Sequence, residues 1–204
     1  MRTPTALWTT RSLQAGPLLM WLSLLLTLMA ISTLALDPGV DGVRRLIRLT
    51  ARSSLLLFLL AFTASAAART WRSPWTTWQL RNRRYLGLAF GVSHTIHALA
   101  IATFAQLDPV GFHRASSVGN FISGGIAYAF IALLCATSFD AAVRRLGWPT
   151  WHRLHLAGIY YLWISFMITF GKRIPTSPAY VAPVALLVVA LIFREWPRSK
   201  TGTV

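Results

Sequence analysis

The chain has one cysteine and five carboxylates in 204 residues. A single cysteine, Cys135, excludes an intrachain disulfide and any thiolate-based zinc or iron–sulfur site. Set inside an apolar run, it reads as a small buried hydrophobe. There is no catalytic carboxylate pair, no nucleophile–base pair, no glycine-rich phosphate loop and no internal repeat. Apolar sequence, by contrast, is abundant: 55% of residues are hydrophobic and mean hydropathy is +0.54. Twenty Lys and Arg face the five acids, for a net charge of +15. Such a balance can mark a nucleic-acid binder. Here the arginines lie between apolar runs, so they read as topology signals and lipid-headgroup contacts, and nucleic acid is not an expected partner.

A helix needs about 20 mostly apolar residues to cross the hydrocarbon layer. Six stretches approach this: 17–36, 53–68, 85–106, 118–139, 151–171 and 178–193, the last interrupted by Pro183. They predict an all-α membrane protein, one six-helix transmembrane domain over 1–204. The first stretch follows Arg2 and Arg11, as a signal peptide would. Its length and the lack of a small-x-small cleavage site favour a retained helix. Basic residues alternate in density between loops, thirteen on the side of the termini and seven on the other. The N-terminus (Arg2, Arg11), the second loop (Arg69 to Arg84), the fourth (Arg144, Arg145, Arg153) and the C-terminus (Arg194, Arg198, Lys200) form the richer side. The excess predicts cytoplasmic termini in a bacterial inner membrane. Trp71, Trp75, Trp78, Trp148 and Trp151 fall near span ends, where indole anchors sit.

Ionisable side chains inside a span are costly and mark sites. Four of the five histidines lie in spans: His94 and His97 on the third, His152 and His155 on the fifth. Each pair is spaced i,i+3, which stacks both rings on one side of a helix. Spans three and five run parallel, so the pairs can face each other across a bundle. Three readings compete. The rings could bond backbone carbonyls or water, hold a bare zinc or copper ion, or ligate haem iron, one ring from each helix. No carboxylate or thiolate accompanies them, which counts against a bare ion. Gly87 and Gly91 lie on the face that His94 continues, and would admit a flat macrocycle. Arg83, Arg84 and Arg153 could pair with haem propionates. His113 reads as a solvated loop residue.

Arg83-Arg84-x-Leu86-Gly87-Leu88 followed by His97, and Trp151-x-x-Leu154-His155, resemble helices three and five of ferric reductase-like transmembrane proteins. Within that family they look most like the haem-binding membrane subunits of bacterial periplasmic methionine-sulfoxide reductase systems. The resemblance runs from about residue 17 to 196. It implies a b-type haem protein that relays electrons across the membrane, with His97 and His155 in the axial-ligand positions and His94 as second choice on span three. Relatives often carry a further histidine about thirteen residues after the span-five ligand. Ile168 occupies that place here, and Val110–Gly111 the matching place on span three. The tyrosine that often follows the span-five ligand at +4 is replaced by Ile159. One haem is therefore expected, on the cytoplasmic half.

Depth is the difficulty. His97 lies about 18 Å into its span and His155 about 6 Å into its own, whereas ligands of one iron share a height. The pairing thus requires helix tilt or shifted helix ends.

The expected function is an electron-transfer component of an oxidoreductase. Electrons would come from a cytoplasmic flavin reductase or quinol, with a flavin or quinone at that side, and leave to an outer-side redox protein. The rival is a haem-free scaffold or small transporter whose histidines are structural or metal-binding. Transport predicts broken helices and an inverted repeat, and the sequence offers only Pro183.

Overall fold

The computed structural model describes residues 13–196, where helices are the only regular structure and no strand occurs. Arg2, Arg11, Arg198 and Lys200, which the charge count uses, lie outside the described residues. The helices are α1 (Ala15–Leu36), α2 (Val40–Thr70), α3 (Pro74–Arg81), α4 (Arg83–Leu107), α5 (Pro109–Ala115), α6 (Val118–Ala136), α7 (Asp140–Leu146), α8 (Trp148–Gly171) and α9 (Val181–Glu195). Two 3-10 turns, Ile174–Thr176 and Pro178–Tyr180, join α8 to α9. Six segments are long and apolar enough to cross a membrane: α1, α2, α4, α6, α8 with its following turn, and α9 with its preceding turn. The chain is a multi-pass membrane protein.

α2 and α4 form the most extensive helix pair. Phe58 and Phe62 of α2, Leu86, Ala89 and Phe90 of α4, Leu162 and Phe166 of α8 and Leu187 of α9 make the core. Lipid is as apolar as leucine, so helices associate through close packing and a few interhelical hydrogen bonds, each worth about 0.6 kcal/mol. Here Ser54 Oγ donates to Ser93 Oγ at 2.8 Å, and Ser53 Oγ lies 2.9 Å from the same oxygen. On the outside, Met20, Leu25, Leu28 and Ile31 of α1 are exposed, as side chains facing a hydrocarbon layer are.

Ala15 N–H donates to Asn82 Oδ1 (2.8 Å) and Arg69 donates to the Arg194 carbonyl (3.1 Å). These bonds set the starts of α1 and α4 beside the ends of α2 and α9, an end called below the terminal end. The start of α2, α5 and the α8–α9 connection form the far end.

Three elements differ from the sequence reading. The second span, expected over 53–68, continues as α2 from Val40 to Thr70. Arg44, Arg45, Arg48 and Arg52 argue against membrane burial but not against helix, since Arg is a good helix former. Pro183 does not interrupt its span. It sits in the first turn of α9, where its missing N–H is one of the unpaired donors every helix start has. His113 belongs to α5, a short helix that Pro109 begins and Asp108 caps by accepting from Gly111 N–H at 2.8 Å. Its side chain is exposed.

Candidate functional site

At the terminal end, α2, α4, α6 and α8 leave a cavity of about 410 Å³. Two glycines of α4 shape it in opposite ways. A Cβ built on Gly87 would meet nothing within 4 Å, so the missing side chain is part of the void. A Cβ on Gly91 would come within 2.5 Å of Cys135 Sγ, so Gly91 draws α6 against α4 instead. The walls are apolar: Phe58, Phe62, Phe90, Ile131, Leu134 and Leu162.

The rim is basic. Arg81, Arg83, Arg84 and Arg194 all line it, with Asp140 as the one carboxylate. Asp140 pairs with Arg84. Arg83 donates to Ser65 Oγ at 2.7 Å. Arg194 reaches across from α9, donates to the Phe62 carbonyl at 2.6 Å and lies over the Phe62 ring at 4.6 Å. A cavity with apolar walls and several guanidinium groups at its mouth suits an apolar ring carrying carboxylates.

His155 and His152 of α8 both line this cavity. His155 Nε2 lies 2.9 Å from Thr137 Oγ1, which itself donates to the Leu133 carbonyl at 2.6 Å. The hydroxyl has spent its only proton, so it accepts from Nε2–H, and Nδ1 carries the imidazole lone pair. Trp151 covers the ring, with centroids 4.2 Å apart. His152 is exposed and stacks on Trp148 at 4.6 Å.

His94 and His97 of α4 form a second cluster, with ring centroids 5.6 Å apart. His97 Nδ1 lies 2.8 Å from Thr50 Oγ1 of α2, which donates to the Leu46 carbonyl at 2.7 Å. By the same logic Nδ1 bears the proton and Nε2 the lone pair. Such an outer hydrogen bond is what orients a ligating imidazole. His94 Nδ1 and Tyr128 Oη are buried without a hydrogen-bond partner among the described residues, and their rings are 5.8 Å apart.

The two clusters stand at different heights. His94 packs against Phe166 of α8, with centroids 5.9 Å apart. Phe166 is eleven residues beyond His155, about 16 Å along the helix. The structure thus brings His155, His152 and Arg84 to the cavity, and leaves His94, His97, Gly91 and Arg153 out of its lining. Arg153 is exposed on α8. Among the described residues no three His, Cys, Asp or Glu side chains gather as a bare-metal site requires. Sequence reasoning missed Arg81 and Arg194 of the rim, and the hydroxyls of Thr50 and Thr137 that orient the imidazoles. An arginine at the end of an apolar helix looks like any topology signal, and a threonine inside a span carries no signal at all.

The residues present fit a haem. They offer an imidazole with a free lone pair, an unfilled space over Gly87, apolar walls and a guanidinium rim.

No family model matches the chain, and no solved structure matches it. Curated proteins do. The protein-methionine-sulfoxide reductase heme-binding subunit MsrQ of Ralstonia nicotianae is 27% identical over 95% of this chain and 92% of its own length. The subunit of the same name from Polaromonas naphthalenivorans is 26% identical over 79% of this chain and 76% of its own. That from Azospira oryzae is 31% identical over 58% and 51%. The chain is a homologue of these haem-binding subunits, as its helix-three and helix-five motifs indicated.

Proposed function

We propose that this homologue of methionine-sulfoxide reductase haem-binding subunits is an inner-membrane electron-transfer subunit holding one b-type haem in the terminal-end cavity. The observation that carries the reading is the cavity itself: His155 on one wall, bare Gly87 on another, and Arg81, Arg83, Arg84 and Arg194 at the mouth.

A bound haem would supply one-electron chemistry. The rest falls to the chain. His155 would offer its imidazole to the iron, with Thr137 and Trp151 holding its ring. The arginines of the rim would pair with the propionates. Phe58, Phe62 and Phe90 exclude water and lower the local dielectric. His152 lies one turn nearer the mouth as the other imidazole of α8. The sequence motif pairs His155 with His97, but the height difference supports a haem on His155 that does not need α4 as a ligand source.

The 13-to-7 basic bias supports cytoplasmic termini, which sets the cavity on the cytoplasmic side. There a flavin reductase or quinol would deliver electrons. The relatives' names make them subunits of a protein-methionine-sulfoxide reductase. We take that enzyme's water-soluble subunit as the acceptor on the outer side.

A reduced-minus-oxidised absorption spectrum of the purified protein tests the function. Haem b bands are expected. A colourless, fully folded protein from haem-replete cells would overturn it and favour the haem-free scaffold. For the site, His155→Ala is expected to abolish haem retention with helix content unchanged. A His155→Ala protein that keeps its full haem complement refutes the assignment.

A further inference from the structure

Asp140 is the one carboxylate in the lining of a cavity whose rim carries four arginines, and it pairs with Arg84. Arg84 stands three residues before Gly87 on α4, so the two lie on one side of the helix, a turn apart. A ring that fills the space over Gly87 therefore meets Arg84 with whatever its edge carries. Asp140 offers that guanidinium the same group that a carboxylate of the ring would offer.

Asp140 begins α7, and Val143 of the same helix also lines the cavity. α7 has no buried residue and packs mainly against α8. Before it, the chain is held as far as Ser138. Thr137 Oγ1 accepts from His155 Nε2–H at 2.9 Å, the Thr137 carbonyl accepts from Trp151 Nε1–H at 2.8 Å, and Ser138 Oγ donates to the Leu134 carbonyl at 2.6 Å. After it, Gly147 turns the chain into α8 at φ +74°, a conformation that L side chains rarely adopt. Among the described residues, Arg84–Asp140 is the only salt bridge between α7 and another helix. Its side chains are 36% and 72% exposed, so it is a weak bond, as a contact that is to be exchanged must be. Two carboxylates on one guanidinium repel each other, so Asp140 and a ring carboxylate hold Arg84 in alternation.

We propose that Asp140 is a built-in competitor for the ring's carboxylate. It latches α7 across the cavity mouth through Arg84, and α7 swings out when a carboxylate of the ring takes its place. The proposal rests on the haem reading and gives that site its regulation. Because the chain is anchored at Thr137, ahead of the moving segment, the exchange leaves His155 oriented as before.

The test titrates the full-length protein in nanodiscs with haem and with haem dimethyl ester, whose carboxylates are blocked. Amide hydrogen exchange is followed across α7. Asp140→Asn is expected to bind haem about two- to fivefold more tightly, the span to which the worth of an exposed ion pair converts. Its haem spectrum should match wild type, and so should its affinity for the ester. Beside Arg84→Gln, Asp140→Asn should have no further effect. Without haem, Asp140→Asn and Arg84→Gln should each speed exchange in α7. Arg84→Gln keeps the acidic residue at the start of α7, so it separates a released latch from a lost helix-terminus charge. Weaker haem binding by Asp140→Asn would make Asp140 a support for Arg84 and overturn the proposal. So would an equal gain with the ester, a gain that persists beside Arg84→Gln, or faster α7 exchange in Asp140→Asn alone. Normal haem uptake with none of the expected responses sinks the latch and leaves the cofactor reading standing. A wild type that binds neither haem nor its ester sinks the cofactor reading, and the latch with it.

Discussion

The Phe90 ring lies 4.6 Å from the His94 ring, one turn away on the same helix, and forms part of the wall of the cavity that contains His155. One aromatic side chain thus partitions the bundle interior into two imidazole compartments. The lower opens to the arginine rim. The upper holds His94, His97 and Tyr128, and its polar partners come from α2.

The partition makes the two histidine pairs independent. His97→Ala and His94→Ala should each retain haem with an unchanged absorption spectrum, in contrast to His155→Ala. Loss of haem from His97→Ala would restore the pairing that the sequence motif suggests, and would mean that α4 and α8 sit at other relative heights when haem is bound.

The glycines of α4 should respond in opposite ways. At Gly87 an added methyl meets nothing within 4 Å, so Gly87→Ala folds normally. Gly87→Leu fills the cavity and should lower haem content severalfold without loss of thermal stability. Gly91→Ala drives a methyl onto Cys135 and should cost about 1–3 kcal/mol, as overpacking does. Haem titration and thermal unfolding in detergent distinguish the two. Equal behaviour of the sites would contradict the geometry.

Thr50 holds His97 in the upper compartment through its hydroxyl. Thr50→Val keeps the shape but removes the Oγ1 acceptor of His97 Nδ1–H. The Ile47 backbone remains as a second partner for His97, so the loss should cost about 0.6 kcal/mol, the usual worth of an interhelical hydrogen bond in a membrane. Thr50→Ser should restore most of it. The melting temperatures of the two variants check this, and equal stability would show that the bond contributes nothing.

Much of the fold was legible because the bilayer demands long apolar runs, and six such runs are present. The start of α2 was not, because Arg44 to Arg52 end a hydrophobic stretch without ending a helix. α7, Asp140–Leu146, was hidden in what reads as a loop. The histidines were legible as site residues because their burial is costly. Their heights were not. Residue numbers measure distance along a helix, and relative depth depends on where two helices begin and how they tilt. Arg194 joined the rim unforeseen for the same reason, since α9 returns its last turn to Phe62, 132 positions earlier in the chain.

Topology gives a direct check on which end faces the cytoplasm. A reporter fused at the C-terminus should report cytoplasm, and one fused after Asp108, between α4 and α5, should report the outer side. Alkaline phosphatase activity at the C-terminal fusion would reverse the assignment. It would place the arginine-rimmed cavity outside and move the proposed electron entry with it.

Haem number follows from what α8 presents at the height of His94. There it offers Phe166, Met167, Ile168 and Phe170. Phe166 and Phe170 are buried core residues, and Ile168 is exposed. Met167 is the one side chain able to bind iron, and it packs against the core. A second haem would therefore need His97 on one side and a displaced core methionine on the other, since Tyr128 comes from α6 and no further imidazole is near. His113, on the exposed surface of α5, meets Phe112 edge-on and belongs to the far-end surface. One haem per chain is expected. A pyridine haemochrome assay against quantitative amino-acid analysis measures the ratio. A value near two would place a second macrocycle in the upper compartment, and Met167→Leu with His97→Ala would then be the variants that remove it.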